Sequence, residues 1–161
     1  MRTGIQRAGR AARIVRAAHT ACLAAIISLA GIQSGMAANE SVGTTAIARN
    51  AVSGTLLSTT RQLTAGIGVF QNERIRTGSD GSAQLLFLDL TSLKIDANSN
   101  IVLSRLVFDP QKKRGHVVLN AVSGAFRFVS GSSPKKNYQI RTRFGTIGIR
   151  GTIVLMRLAR A

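Results

Sequence analysis

The residues that could do chemistry in this chain are few, and their spacing argues against catalysis. Beyond residues 1 to 38 there is one histidine, His116, and no cysteine, because Cys22 lies inside that first stretch. A zinc cage or a nucleophile with its base needs partners that such a chain lacks. His116, beside Gly115 at the start of an extended run, is therefore expected at the surface or half-buried. Among the carboxylates, Asp80 and Asp109 fall in turns, where Asp caps its own backbone. Asp89 and Asp96 stand on opposite strand faces, so paired acids for hydrolysis would need a tertiary contact that their spacing does not supply. The expected protein is not an enzyme and takes no metal or other cofactor.

What remains is a stretch suited to contact. Arg141 to Thr152 reads RTRFGTIGIRGT, with Gly145, Gly148 and Gly151 at every third position and Ile147 and Ile149 between them. Such a strand can offer bare backbone to a ligand or a partner strand, with Arg143 and Arg150 supplying charge. The candidate contact residues are Arg141, Arg143, Gly145, Gly148, Arg150 and Gly151. The competing interpretation, and the favoured one, is a tightly curved strand whose glycines permit close packing. No Gly-Lys-Ser/Thr follows and no helix is indicated, so the stretch is neither a phosphate-binding P-loop nor a dinucleotide fingerprint. A candidate basic surface, Lys112, Lys113 and Arg114, lies in the turn from Asp109 to Gly115, where solvated charge is expected. Phe126-Arg127-Phe128 puts two aromatics on one face and a cation on the other, which suits core packing better than ligand stacking.

The charge is strongly basic. Five of the 22 basic residues precede the first apolar run, so 17 remain beyond it with all six carboxylates, a formal +11. Such a surplus attracts phosphate-rich or carboxylate-rich partners: at a cell envelope, lipopolysaccharide, anionic lipid or peptidoglycan. The basic residues are scattered, which also fits a solvated surface with no dedicated ligand. Aromatics are sparse and do not interleave with the arginines, so no nucleic-acid partner is expected.

Residues 1 to 38 have the layout of a helical signal peptide: a basic start to Arg16, an uncharged stretch from Ala17 to Ala38, and small residues at Gly35, Ala37 and Ala38. Cleavage near Ala37 or Ala38 is expected, leaving one domain over residues 39–161. The alternative is an uncleaved inner-membrane anchor, the one route by which this chain would touch a membrane. Beyond the leader come short extended runs with turn signals about every ten residues and no convincing helical period. The run Glu73 to Asn100 is the nucleus: Ala83 to Leu90 is apolar enough to be covered on both faces, and Leu93, Ile95 and Ala97 alternate with Lys94 and Asp96. An all-β domain follows, a short-stranded roll, solenoid or sandwich. Ala51-Val52-Ser53-Gly54 recurs as Ala121-Val122-Ser123-Gly124, and Ile75-Arg76-Thr77 as Ile140-Arg141-Thr142, which fits two similar halves or chance reuse.

In order along the chain, AVSG, ERIRTGSDGSAQLLFLD, LKIDANSNIVL, the Phe108-Asp109-Pro110 turn, VSGAFRFVSG and YQIRTRFGTIGIRGT together resemble the periplasmic FecR-like domain, over about Val42 to Thr152. The resemblance implies an all-β domain of the export compartment, used as a sensor or binding module. In the regulators that name the family, this domain lies across the inner membrane from a cytoplasmic anti-sigma segment and receives a signal from an outer-membrane iron-siderophore receptor. Here, even with the leader kept as an anchor, the residues ahead of its uncharged stretch are too few for an anti-sigma region. The resemblance also leads one to expect strands beyond Thr152, so residues 153–161 suit either one closing strand or a truncated C-terminus. The implied function is non-enzymatic signal relay through contact with an envelope protein. The alternative is a basic module that binds an anionic envelope polymer, peptidoglycan or lipopolysaccharide.

Overall fold

The computed structural model describes residues 40–112 and 114–159. The expected leader with its expected cleavage site, Lys113 and the last two residues lie outside the described residues. Twelve strands occupy the described chain: β1 (Ser41–Arg49), β2 (Val52–Leu56), β3 (Thr59–Gln62), β4 (Gly68–Phe70), β5 (Arg74–Thr77), β6 (Ser82–Phe87), β7 (Ser92–Ile95), β8 (Asn100–Asp109), β9 (Arg114–Val129), β10 (Tyr138–Thr142), β11 (Gly145–Gly148) and β12 (Ile153–Leu158). The one helical element among the described residues is a 3-10 turn at Lys135–Asn137.

The strands form one hydrogen-bonded sheet that folds over along β9. The first half of β9 lies between β8 and β10, giving one layer in the order β3-β2-β5-β8-β9-β10-β11. Its second half lies between β7 and β12, giving the other layer, β4-β1-β6-β7-β9-β12. The strand changes layers at Ser123 and Gly124, the one opposite Asn100 of β8 and the other opposite Leu158 of β12. Gly124 carries the bend at φ +107°, and a Cβ there would run into Ser99. Only glycine adopts that conformation without strain. Among the described strands only β9 and β10 pair in parallel. Of the forms expected, this is the roll; a solenoid would repeat parallel coils.

Alternation makes the core. Ile75, Ile101, Leu103, Val117, Leu119 and Ile140 from one layer meet Val69, Leu85, Leu93, Ile95, Phe126 and Phe128 from the other in one continuous apolar cluster. Burying such side chains is the main driving force, at roughly 1.5–3 kcal/mol for each large one. The Phe126-Arg127-Phe128 expectation holds, with both rings buried and Arg127 exposed. So does the alternation of Leu93 and Ile95 against Lys94 and Asp96.

Several expectations are corrected. The strand at Ala83 stops at Phe87, and Leu90 turns the chain at φ +65°. Leu86, Leu88 and Leu90 are exposed, so this run is covered on one face only. Gly54 sits buried inside β2, where a Cβ would overlap the Glu73 carboxylate. Leu57 turns the chain from β2 into β3 at φ +55°. The repeated Ala-Val-Ser-Gly is not a structural repeat: Val52 is in the core and Val122 is exposed. Ile75-Arg76 and Ile140-Arg141 do match, each with the isoleucine inward and the arginine outward in the same layer.

Candidate binding edge

The glycine-rich stretch Arg141 to Thr152 covers the end of β10, all of β11 and the crossing into β12. β10 is pinned by Tyr138, whose buried hydroxyl donates to Asp89 Oδ2 at 2.8 Å and accepts from the Ser133 N–H at 3.0 Å. Its ring meets Phe128 edge-on at 5.6 Å. Burial pushes the Tyr138 hydroxyl above its ordinary value of 10.0, and the Asp89 carboxylate beside it acts in the same direction. The return from β11 is pinned by Ile149, which is buried and whose N–H donates to the Tyr138 carbonyl at 3.1 Å.

Between those two anchors the chain is bare. β11 pairs with β10 on one side and, among the described residues, with nothing on the other. All four of its residues are exposed. β12, the edge of the second layer, pairs among the described residues with β9 alone and leaves Ile153 and Leu155 at the surface. Both layers thus end, at the C-terminal side, in an edge with free backbone donors and acceptors. Arg143 and Phe144 form the tip between β10 and β11, the guanidinium 4.6 Å from the ring centroid and donating to the Ala159 carbonyl at 3.3 Å.

The close-packing interpretation of the glycines is overturned. A Cβ added at Gly145, Gly148 or Gly151 would meet nothing within 4 Å. These glycines leave a smooth strand edge rather than admit a neighbour. Of the six candidate residues, Arg141, Arg143, Gly145 and Gly148 lie together on the β10–β11 hairpin, and Arg150 and Gly151 on the exposed segment after Ile149.

Lys112 and Arg114 are elsewhere. Arg114 opens β9 six positions before Asn120, the partner of Arg141, which at ~3.3 Å per residue is about 20 Å away. Lys112 is exposed in the hairpin turn, 3.5 Å from Asp109, as expected of a solvated pair. His116 is exposed on the outer face of β9. Among the described residues, no group of three His, Cys, Asp or Glu stands close enough to hold a metal ion. No helix there is long and apolar enough to cross a membrane.

Sequence reasoning missed two buried polar clusters and one charged face. Glu73 is fully buried and takes both an Arg61 N–H, at 2.9 and 3.1 Å, and the Phe70 N–H at 2.9 Å. Asp89 is buried with Tyr138, its other oxygen accepting from the Thr91 N–H at 3.0 Å. On the outer face of the β11 layer stand Arg74, Arg76, Arg105 and Arg141. The alternation Arg74-Ile75-Arg76-Thr77 signals the first two; Arg105 is hidden because the alternation breaks around it.

The family described as FecR protein matches residues 73–161, from the buried Glu73 to the chain's end. No curated protein and no solved structure gives a match to this chain.

Proposed function

The chain belongs to the FecR family, and we propose that it works without catalysis as a sensory and regulatory module of the cell envelope, relaying a signal through protein–protein contact. Family membership supports the regulatory role, and the leader-like layout of residues 1 to 38 supports export to the periplasm. The partner is an envelope protein that supplies an extended segment.

The observation that carries the contact is the edge of β11: four exposed residues, free of a neighbour on one side, with glycines that let another backbone approach. Strand addition draws affinity from main-chain hydrogen bonds and specificity from alternating side chains. Here Phe144, Ile147 and the exposed Ile153 and Leu155 of β12 supply the apolar contacts, and Arg141, Arg143 and Arg150 select an acidic flank.

The test is to isolate the partner from solubilised envelope with the tagged chain, then to titrate that purified partner against wild type and Gly148→Val. A Val side chain here projects from the sheet face beside the edge, where it crowds the side chains of an added strand without touching the core. Binding should fall at least tenfold while thermal unfolding is unchanged. Equal binding by the folded variant would remove β11 as the contact.

A further inference from the structure

The outer face of the β11 layer carries a second feature, which shares Arg141 with the β11 contact. β8 and β9 pair in step at Ile101 opposite Ala121 and Val102 opposite Asn120, then resume at Arg105 opposite Val118, so over this stretch β8 has one residue more than its partner. This bulge breaks the alternation: Leu103 and Leu106 are both buried, and Ser104 and Arg105 both come to the outer face. Bulges re-aim side chains and are frequent beside functional sites. Here the bulge turns Arg105 into a groove of about 370 Å³ lined by Ser104, Arg105, His116, Val118, Gln139 and Arg141.

The groove is cationic and stays so across the sheet. Arg141, Asn120, Val102 and Arg74 lie in one cross-strand row, so Arg74 stands three strand spacings from Arg141, about 14 Å at ~4.8 Å each. Arg76 follows two residues along β5 from Arg74. Among the described residues none of these four arginines pairs with a carboxylate. Four of the six acidic side chains are engaged elsewhere: Glu73 with Arg61, Asp89 with Tyr138, Asp96 beside Lys94 and Asp109 beside Lys112.

We infer that this groove binds a phosphorylated saccharide, with Arg105 and Arg141 holding the phosphate and Ser104, Gln139 and His116 meeting the hydroxyls. The planar guanidinium fork matches phosphate oxygens in pairs. The volume is within the range of roughly 300–1,000 Å³ usual for small-ligand sites. No phenylalanine, tyrosine or tryptophan lines the groove, so it offers no large aromatic platform for a nucleobase. Val118 is the only apolar side chain in it, too little for an acyl chain. Arg74 and Arg76 extend the charge beyond one sugar, which fits a polymer carrying several phosphates.

The experiment titrates the purified full-length chain with glucose 6-phosphate, and separately with glucose and with inorganic phosphate, by calorimetry at low and moderate salt. Glucose 6-phosphate should bind most tightly, glucose not measurably, and binding should weaken with salt. Arg105→Gln should cost tenfold or more, whereas Lys94→Gln, on the other layer, should cost nothing. Equal loss in both variants would mean diffuse charge attraction and overturn the site. Inorganic phosphate binding as tightly as the sugar phosphate would overturn the saccharide assignment.

Discussion

The Tyr138 hydroxyl donates a 2.8 Å hydrogen bond to Asp89 Oδ2, joining β10 to the turn after β6 across 49 residues of sequence. This buried bond holds the base of the β10–β11 hairpin, so the exposed edge projects from a rigid support. Tyr138→Phe keeps the ring and its contact with Phe128, but leaves an Asp89 oxygen and the Ser133 N–H without their partner. An orphaned buried polar group costs about 1–3 kcal/mol. Urea unfolding of the variant should show a loss in that range, with the strand content unchanged by circular dichroism.

The same tyrosine makes stability sensitive to alkali. Burial raises its pKa in the folded state above 10.0, so the folded protein holds the proton more tightly than the unfolded chain does. The contribution is fully present below pH 10 and is lost as pH rises from there through the folded-state value. It is the only tyrosine in the chain, so tyrosinate absorbance reads this group alone. Wild type should lose stability above pH 10 relative to Tyr138→Phe, and the tyrosinate signal should rise together with unfolding.

Three glycines should behave in two opposite ways. Gly54→Ala pushes a Cβ into the Glu73 carboxylate and displaces it from Arg61. Disturbing a buried ion pair of this kind costs roughly 3 kcal/mol. Gly124→Ala forces a side chain to φ +107° against Ser99, a strain of roughly 1–3 kcal/mol before the clash is counted. Gly148→Val should stay within about 0.5 kcal/mol of wild type, since the position is open and valine suits a strand. Thermal unfolding of the three variants side by side checks the contrast.

Glu73 and Arg105 show how far the sequence could be read. Strand alternation was legible wherever it was unbroken, as at Leu93-Lys94-Ile95-Asp96, and it led to the all-β class and to much of the core. It failed where a local feature interrupts the period. The bulge at Ser104 and Arg105 puts two successive residues outward, and nothing in Leu103-Ser104-Arg105-Leu106 says which face each takes. Glu73 looks like a surface residue until Gly54 of a neighbouring strand is known to leave room for its carboxylate. Gly145, Gly148 and Gly151 are open to solvent rather than packed, and the sequence could not say so, because whether a glycine faces a neighbour or open solvent depends on which strand is the edge.

The most direct measurement is hydrogen–deuterium exchange of the chain alone and with the isolated envelope partner. Strand addition requires the free amides of β11, from Gly145 to Gly148, to slow at least tenfold in the complex, while those of β3 at the opposite edge of the same layer stay unchanged. Unchanged exchange along β11 at saturating partner would contradict the account and place the contact elsewhere on the roll.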